Sequence, residues 1–288
     1  DDPRRTAVPA PVDRVAALAH ANSGGAIALR VPADAELDRP VVVELRGSSS
    51  DEIAWGHVIV EVGANASATV IIDHTGSATY GALLSVLVGD GARLTLVNLQ
   101  DWDDDTVHIE HHAVRVGRDA TFTSAIVSLG GDLVRLTPTV NFAGPGGNAE
   151  LLGLYFADAG QHLEHRLFID HDQPNCRSRV TYKGALQGDG ARTVWIGDVL
   201  IRAAAVGTDT YEENRNLLLG ERARADSVPN LEIETGEVAG AGHASTTGRF
   251  DDEQLFYLMA RGISEDEARR LVVRGFFAEI IERIGVPE

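Results

Sequence analysis

Five positions of the form V-x-V-G-x-x-A-x-x-T return three times along the chain. They occur as Val60, Val62, Gly63, Ala66, Thr69, then Val86, Val88, Gly89, Ala92, Thr95, then Val114, Val116, Gly117, Ala120, Thr123, at steps of 26 and 28 residues. A bare G-x-x-A would recur by chance in so Gly- and Ala-rich a chain, but five fixed positions would not. Each unit reads as a strand, a glycine-turned corner, a small buried Ala and a second strand. One such layer cannot bury its apolar face unless like layers stack on it. A parallel β-helix and an antiparallel meander both satisfy the pattern, and the fixed period favours the solenoid, with Gly63, Gly89 and Gly117 at equivalent corners. Looser echoes follow at Gly146 to Ala149 and at Gly188 to Ala191 with Thr193.

Around this repeat the texture divides the chain. Residues 1–25 carry Pro3, Pro9, Pro11, a short apolar run from Val15 to Leu18, and Gly24–Gly25, and read as a tail or partial helical segment. Residues 26–247 form the β-helix core, its short Val, Ile, Leu and Thr runs punctuated by Gly and Asp as far as Glu234. Residues 248–288 read as helical. Asp251 with Gln254 and Ser264 with Glu267 have capping-box spacing, and Gly262 stands where a first helix would end. Leu255, Phe256, Leu258 and Met259, then Ala268, Leu271, Val272, Phe276, Ile280 and Ile284, keep helical spacing. These helices are expected to cap the solenoid, whose terminal layers need covering. The fold class is therefore mainly β, a right-handed parallel β-helix with a C-terminal helical region.

A formal charge of −18 and a pI near 4.9 repel a phosphate backbone, and no clustered Arg stripe offsets them, so nucleic acid is excluded as a partner. No apolar run reaches the ~18 residues that span a bilayer, so no membrane partner is expected. One cysteine, Cys176, rules out an internal disulfide framework and suits a reducing, cytoplasmic compartment. The acidic run Asp101, Asp103, Asp104, Asp105 reads as a solvated loop.

Several residues are candidates for chemistry. In a strand, His108, Glu110 and His112 share one face and offer zinc- or iron-type ligands; a polar strand face alternating with Val107 and Ile109 explains them equally. His162, Glu164 and His165 pose the same alternative. Among 25 basic residues Lys183 is the single lysine. Either a compact ammonium is required there, which a planar guanidinium cannot replace, or it is a chance survivor of drift toward Arg. With no G-x-x-x-x-G-K-[ST] loop and no G-x-S-x-G elbow, neither ATP hydrolysis nor serine hydrolysis is expected. Cys176 lacks a nucleophile signature and fits burial as a small hydrophobe. His243 lies between small residues where the strands give way to helix: either another chain can approach its imidazole there as a ligand site, or it is a hydrogen-bonded histidine in an ordinary turn, which composition alone favours.

The stretches N-R-N-L-L-L-G at 214–220, P-N-L-E-I at 229–233, G-H-A-S-T-T-G-R-F-D-D-E-Q-L-F-Y-L at 242–258, R-G-I-S at 261–264 and G-F-F-A-E at 275–279 resemble the SufB/SufD family of iron-sulfur cluster assembly proteins. Weaker similarity runs back through Cys176, Ser178 and Lys183. The resemblance implies a non-enzymatic scaffold in a SufBCD complex, paired with SufB through the β-helix and binding the SufC ATPase through the C-terminal helices, where Leu255, Phe256, Tyr257, Met259, Arg261 and Ile263 are the partner-binding candidates. It implies a transient nascent iron-sulfur cluster at the SufB interface, with His243 as a ligand supplied in trans. Lys183 and Cys176 remain further candidates. SufB-like chains carry a glutamate after this histidine and a cysteine after the R-N element; here stand Ala244 and no cysteine, which places the chain on the SufD side. SufD relatives often hold a cysteine two residues before the histidine, where this chain has Ala241. Reduced flavin is linked to such assemblies, yet no G-x-G-x-x-G follows a strand to place it. A homodimer is one state open to the isolated chain. The rival readings are a carbohydrate-active β-helix enzyme using Asp170 and Asp172 and a homodimeric binding scaffold with no metal role.

Overall fold

The computed structural model describes residues 10–285, except the side chains of Asp252 and Gln254. Part of the expected N-terminal tail, with Pro3 and Pro9, lies outside the described residues, as does the Gln254 half of the first capping box. Helix α1 (Arg14–Asn22) is followed by fourteen strands: β1 (Ile27–Val31), β2 (Val41–Val62), β3 (Ser67–Val88), β4 (Arg93–Trp102), β5 (Val107–Val116), β6 (Thr121–Ser128), β7 (Leu133–Phe142), β8 (Asn148–Ala157), β9 (His162–His171), β10 (Arg177–Leu186), β11 (Arg192–Ile201), β12 (Asp209–Leu218), β13 (Arg224–Ile233) and β14 (Gly240–Arg249). Helices α2 (Asp252–Met259) and α3 (Glu265–Ile284) complete it.

Every pairing among the named strands is parallel, which is what the fixed period requires of a coil that always returns in the same direction. The even strands from β4 to β14 stack into one wall and the odd strands from β5 to β13 into the other; β3 is long enough to supply a strand to both. The result is a flattened β-solenoid of about eight turns. The repeat is read directly as ladders: Val60 pairs Val86, which pairs Val114, and Val62 pairs Val88, which pairs Val116.

The corners explain the glycines. Gly63, Gly89 and Gly117 each donate their N–H to the coil below, to the carbonyls of Val31, Val62 and Val88 at 2.9, 2.8 and 2.8 Å. A Cβ on Gly89 would lie 2.7 Å from the Ala64 nitrogen, and one on Gly117 2.7 Å from the Gly89 carbonyl carbon. Only a residue without Cβ lets stacked backbones come this close. The third turn residue, Asn65, Gly91 or Asp119, takes the left-handed conformation, and the closing Ala66, Ala92 and Ala120 are buried. Gly63, Gly89 and Gly117 are thus equivalent. The echo at 146–149 is out of step: Gly146, itself left-handed, stacks on Asp119, while Ala149 pairs Phe122 inside the strand ladder. The echo at Gly188 belongs to the opposite row of corners, ahead of β11.

The helices line the outside. Helix α1 buries Ala16 and Ala19 against Leu83 and Ala113 on the odd wall. Helix α3 lays Phe277 and Ile280 against Leu154 and Ala185 on the even wall. The expectation that the C-terminal helices cap the solenoid is therefore corrected. One apolar side of α3 finds an apolar outer face ready to receive it, and the last coil, β13 and β14, stays open, with Val228, Ile233 and His243 exposed.

Candidate functional site

Strand β14 is in register with β12, so Glu212 faces His243 and Asn214 faces Ser245. On β12 the inward series Thr210, Glu212, Asn214 and Asn216 is buried by the next coil. On β14 the corresponding Ala241, His243, Ser245 and Thr247 have no further coil over them and stay exposed. His243 is 42% exposed and its Nδ1 lies 3.8 Å from Oε1 of Glu212, whose side chain is buried and whose Oε1 has no hydrogen-bond partner. Burial, with the nearby charge of Asp198, pushes the Glu212 carboxyl up to about 8. An accessible imidazole thus sits above a carboxyl that holds its proton at neutral pH, flanked by Gly242 and Ala244. Sequence reasoning missed Glu212; its alternation with Thr210 and Asn214 was the available signal.

The other candidates fall in separate places. Lys183, on the outer face of β10, is buried beneath α3: its Nζ donates to Oε2 of Glu279 at 2.8 Å and to the Phe276 carbonyl at 3.1 Å. Cys176 is buried with its Sγ donating to the Gly144 carbonyl at 3.6 Å. Its carbonyl receives the first N–H of β12, as the carbonyls of Ala66, Ala92 and Ala120 receive the first N–H of β4, β6 and β8, so the thiol occupies the repeat's small-residue corner. Burial raises its pKa. Of the helical residues, Phe256, Tyr257 and Met259 are exposed, Arg261 stacks over Tyr257 at 4.2 Å, Ile263 is half-buried and Leu255 is buried. Asp170 is held by Arg202 through hydrogen bonds of 2.7 and 2.8 Å.

The V-H-I-E-H-H strand turns its polar face inward. His108, Glu110 and His112 are buried in the lumen and Val107 and Ile109 are the outer, half-buried pair. Opposite them, from the other wall, come His74, Asn98 and Gln100. Burial lowers the pKa of His74, and that of His108 to about 3. Burial opposes ionisation of Glu110, but its contacts with His112 and the facing histidines outweigh it and hold the carboxyl down at about 2. His162, Glu164 and His165 do not form a set: His165 points inward while His162 and Glu164 pair outside at 3.1 Å.

Residues 45–276 match the family model described as SUF system FeS cluster assembly, SufBD core domain. An iron-sulfur cluster assembly SufBD family protein of Mycobacterium bovis is 57% identical over 293 residues, covering 100% of this chain and 74% of the relative. A protein of the same description from Mycobacterium tuberculosis matches equally, at 57%. The iron-sulfur cluster assembly protein SufD of Escherichia coli is 29% identical over 246 residues, 83% of this chain and 57% of the relative.

Proposed function

The chain belongs to the SufBD family of iron-sulfur cluster assembly proteins, and from that premise we propose that it is the SufD-type scaffold subunit of a SufBCD complex. In this reading it pairs with a SufB-like chain through the open end of the solenoid, holds a SufC-type ATPase through its C-terminal helices and catalyses no reaction itself. The observation that carries it is His243. It stands on the last strand of the even wall, where no coil among the described residues covers it, between residues small enough for another backbone to approach.

Iron in clusters is held mainly by thiolates, with imidazole replacing thiolate at some irons. The one thiol here is buried at a corner, so sulfur ligands come from the partner and this chain contributes an imidazole to the nascent cluster, which is cargo. The protonated carboxyl of Glu212 behind His243 adds no negative charge at neutral pH and keeps a proton within reach of the ring. Among the described residues no helix is long and apolar enough to cross a membrane, and cytoplasmic work fits the single reduced cysteine.

The test is co-expression with SufB-like and SufC-like chains. His243→Ala should leave the complex intact and lower the yield of cluster absorbance. Normal cluster yield from an intact His243→Ala complex would remove the residue from the mechanism, and failure to co-purify at all would remove the scaffold reading.

A further inference from the structure

Two imidazoles and a carboxylate from two strands, β3 and β5, converge inside the lumen: donor atoms of His74, His108 and Glu110 all lie within 4.8 Å of one another, and all three side chains are buried. Their hydrogen bonds assign the tautomers. Nδ1 of His74 faces the Leu99 carbonyl at 2.9 Å and must donate to it. Oε1 of Gln100 lies 2.7 Å from Nδ1 of His108 and 2.8 Å from the Trp102 indole nitrogen; both contacts are shorter than the 3.1 Å between those two nitrogens, so the oxygen accepts from both. The Gln100 amide is turned this way by its own donation to Oδ1 of Asn98. With both Nδ1 atoms carrying protons, each Nε2 is left with an in-plane lone pair, and each Nε2 is buried without a hydrogen-bond partner. A burial of that kind costs about 1–3 kcal/mol per group unless something occupies the lone pair. Oε2 of Glu110 is engaged by His112 at 2.7 Å, which holds the carboxylate in place beside the two imidazoles.

Single ring nitrogens of His111, His165 and His171 also lack partners. Only at His74, His108 and Glu110, among the described residues, do three ligand-type side chains come together. We propose that His74, His108 and Glu110 bind one divalent transition-metal ion inside the solenoid, away from the open end where His243 lies. Two neutral imidazoles and a carboxylate suit Zn(II) and Fe(II) alike. Such ions sit about 2.0–2.2 Å from their donors, so this set closes on one with side-chain movements of less than about 1 Å. Nδ1–H groups held by a carbonyl and an amide, and a carboxylate held by a second histidine, are the outer partners that fix ligand orientation and raise ligand basicity. Because the site is enclosed, the ion is loaded as the coils close over it, and binding is part of folding.

The experiment follows from that coupling. The chain is unfolded, stripped with a chelator, refolded anaerobically with Zn(II), Fe(II) or Co(II) in separate arms, and passed over chelating resin. The expected result is one retained ion per chain, a d–d absorption spectrum of low-symmetry Co(II), and imidazole scattering in the X-ray absorption spectrum. Which of Zn(II) and Fe(II) is kept in direct competition decides the native ion. Glu110→Gln, which preserves shape, and the double change His74→Gln with His108→Gln should weaken retention at least about tenfold, whereas His243→Ala and His162→Ala should not. Refolded wild-type chain that keeps no ion overturns the proposal, as does full retention by Glu110→Gln or loss confined to His243→Ala. Should the double variant fail to refold, the wild-type absorption edge still decides: a ligand set with sulfur, or without imidazole, rejects the site.

Discussion

Lys183 shows why a residue that sequence statistics single out need not be chemical. Its side chain is 6% exposed and its ammonium makes three contacts with α3 at once: Oε2 of Glu279, the Phe276 carbonyl, and the Phe276 ring at 5.6 Å from the centroid. A guanidinium has a wider, planar set of donors and cannot fill this slot without displacing the helix. Lys183→Arg should loosen α3, costing about 1–2 kcal/mol and speeding amide exchange across residues 265–284; unchanged exchange there would return Lys183 to the status of a survivor of drift. His165 and His171 contribute to the response to acid, in the same direction as the buried His74, His108 and His111 and against the raised carboxyl of Glu212. His165, between Ser128, Tyr155 and Tyr182, has its pKa lowered to about 3 by burial, with His112 lowering and Glu164 raising it further out. His171, on Phe142 and Ser178, is lowered to about 4 by burial against the opposing charge of Asp170. In the unfolded chain both titrate near 6.5, so below that pH the unfolded state binds more protons and stability falls as pH falls toward 4. Above 6.5 neither contributes a slope. The loss at pH 5 is about 2 kcal/mol for each histidine. His171→Gln should remove this residue's share of the stability lost between pH 7 and pH 5, read from urea midpoints against wild type; an equal loss in that variant would place the effect elsewhere.

At the level of elements, the corner is the part of the repeat that tolerates least. Gly89→Ala would drive a Cβ to 2.7 Å from the Ala64 backbone nitrogen, and backbone cannot rotate away as a side chain can. The variant should lose about 1–3 kcal/mol, while Gly236→Ala, where an added Cβ meets nothing within 4 Å, should stay within about 0.5 kcal/mol of wild type. Equal thermal midpoints for the two would contradict the stacked-corner account. Helix α3 is the opposite case, an element that local pattern describes incompletely. Its apolar residues are spread around its circumference, so Phe277 and Ile280 are buried on the wall while Leu271 and Ile281 remain exposed with Phe256, Tyr257 and Met259 of α2 nearby in sequence. The exposed set is what the ATPase-binding proposal rests on.

For the molecule as a whole, the solenoid and its outer helices should be separable. Removing residues 250–288 should leave the strand circular dichroism intact and abolish ATPase pull-down. It should also raise binding of a hydrophobic dye, because Leu154 and Ala185 lose their cover. Retained pull-down would refute the partner assignment, and loss of strand signal would show the helices to be part of the core. The parallel coil was legible in the sequence because strand, corner and return are local events whose geometry is set by Val, Gly and Ala at fixed offsets. The face shared by His108, Glu110 and His112 was legible too, since side chains alternate along any strand. That this face points into the lumen was not, because burying charge and imidazole breaks the rule that puts apolar residues inside, and only partners from other coils make it tolerable. His74 and Gln100 meet His108 through coil closure, α3 chose the wall over the end through surface complementarity, and Glu212 acquired His243 through register between two strands. The sequence by itself determined the repeating layer, whose causes are local; the tertiary structure alone decided what meets across the lumen and what covers each face, because those energies arise between surfaces that are distant along the chain.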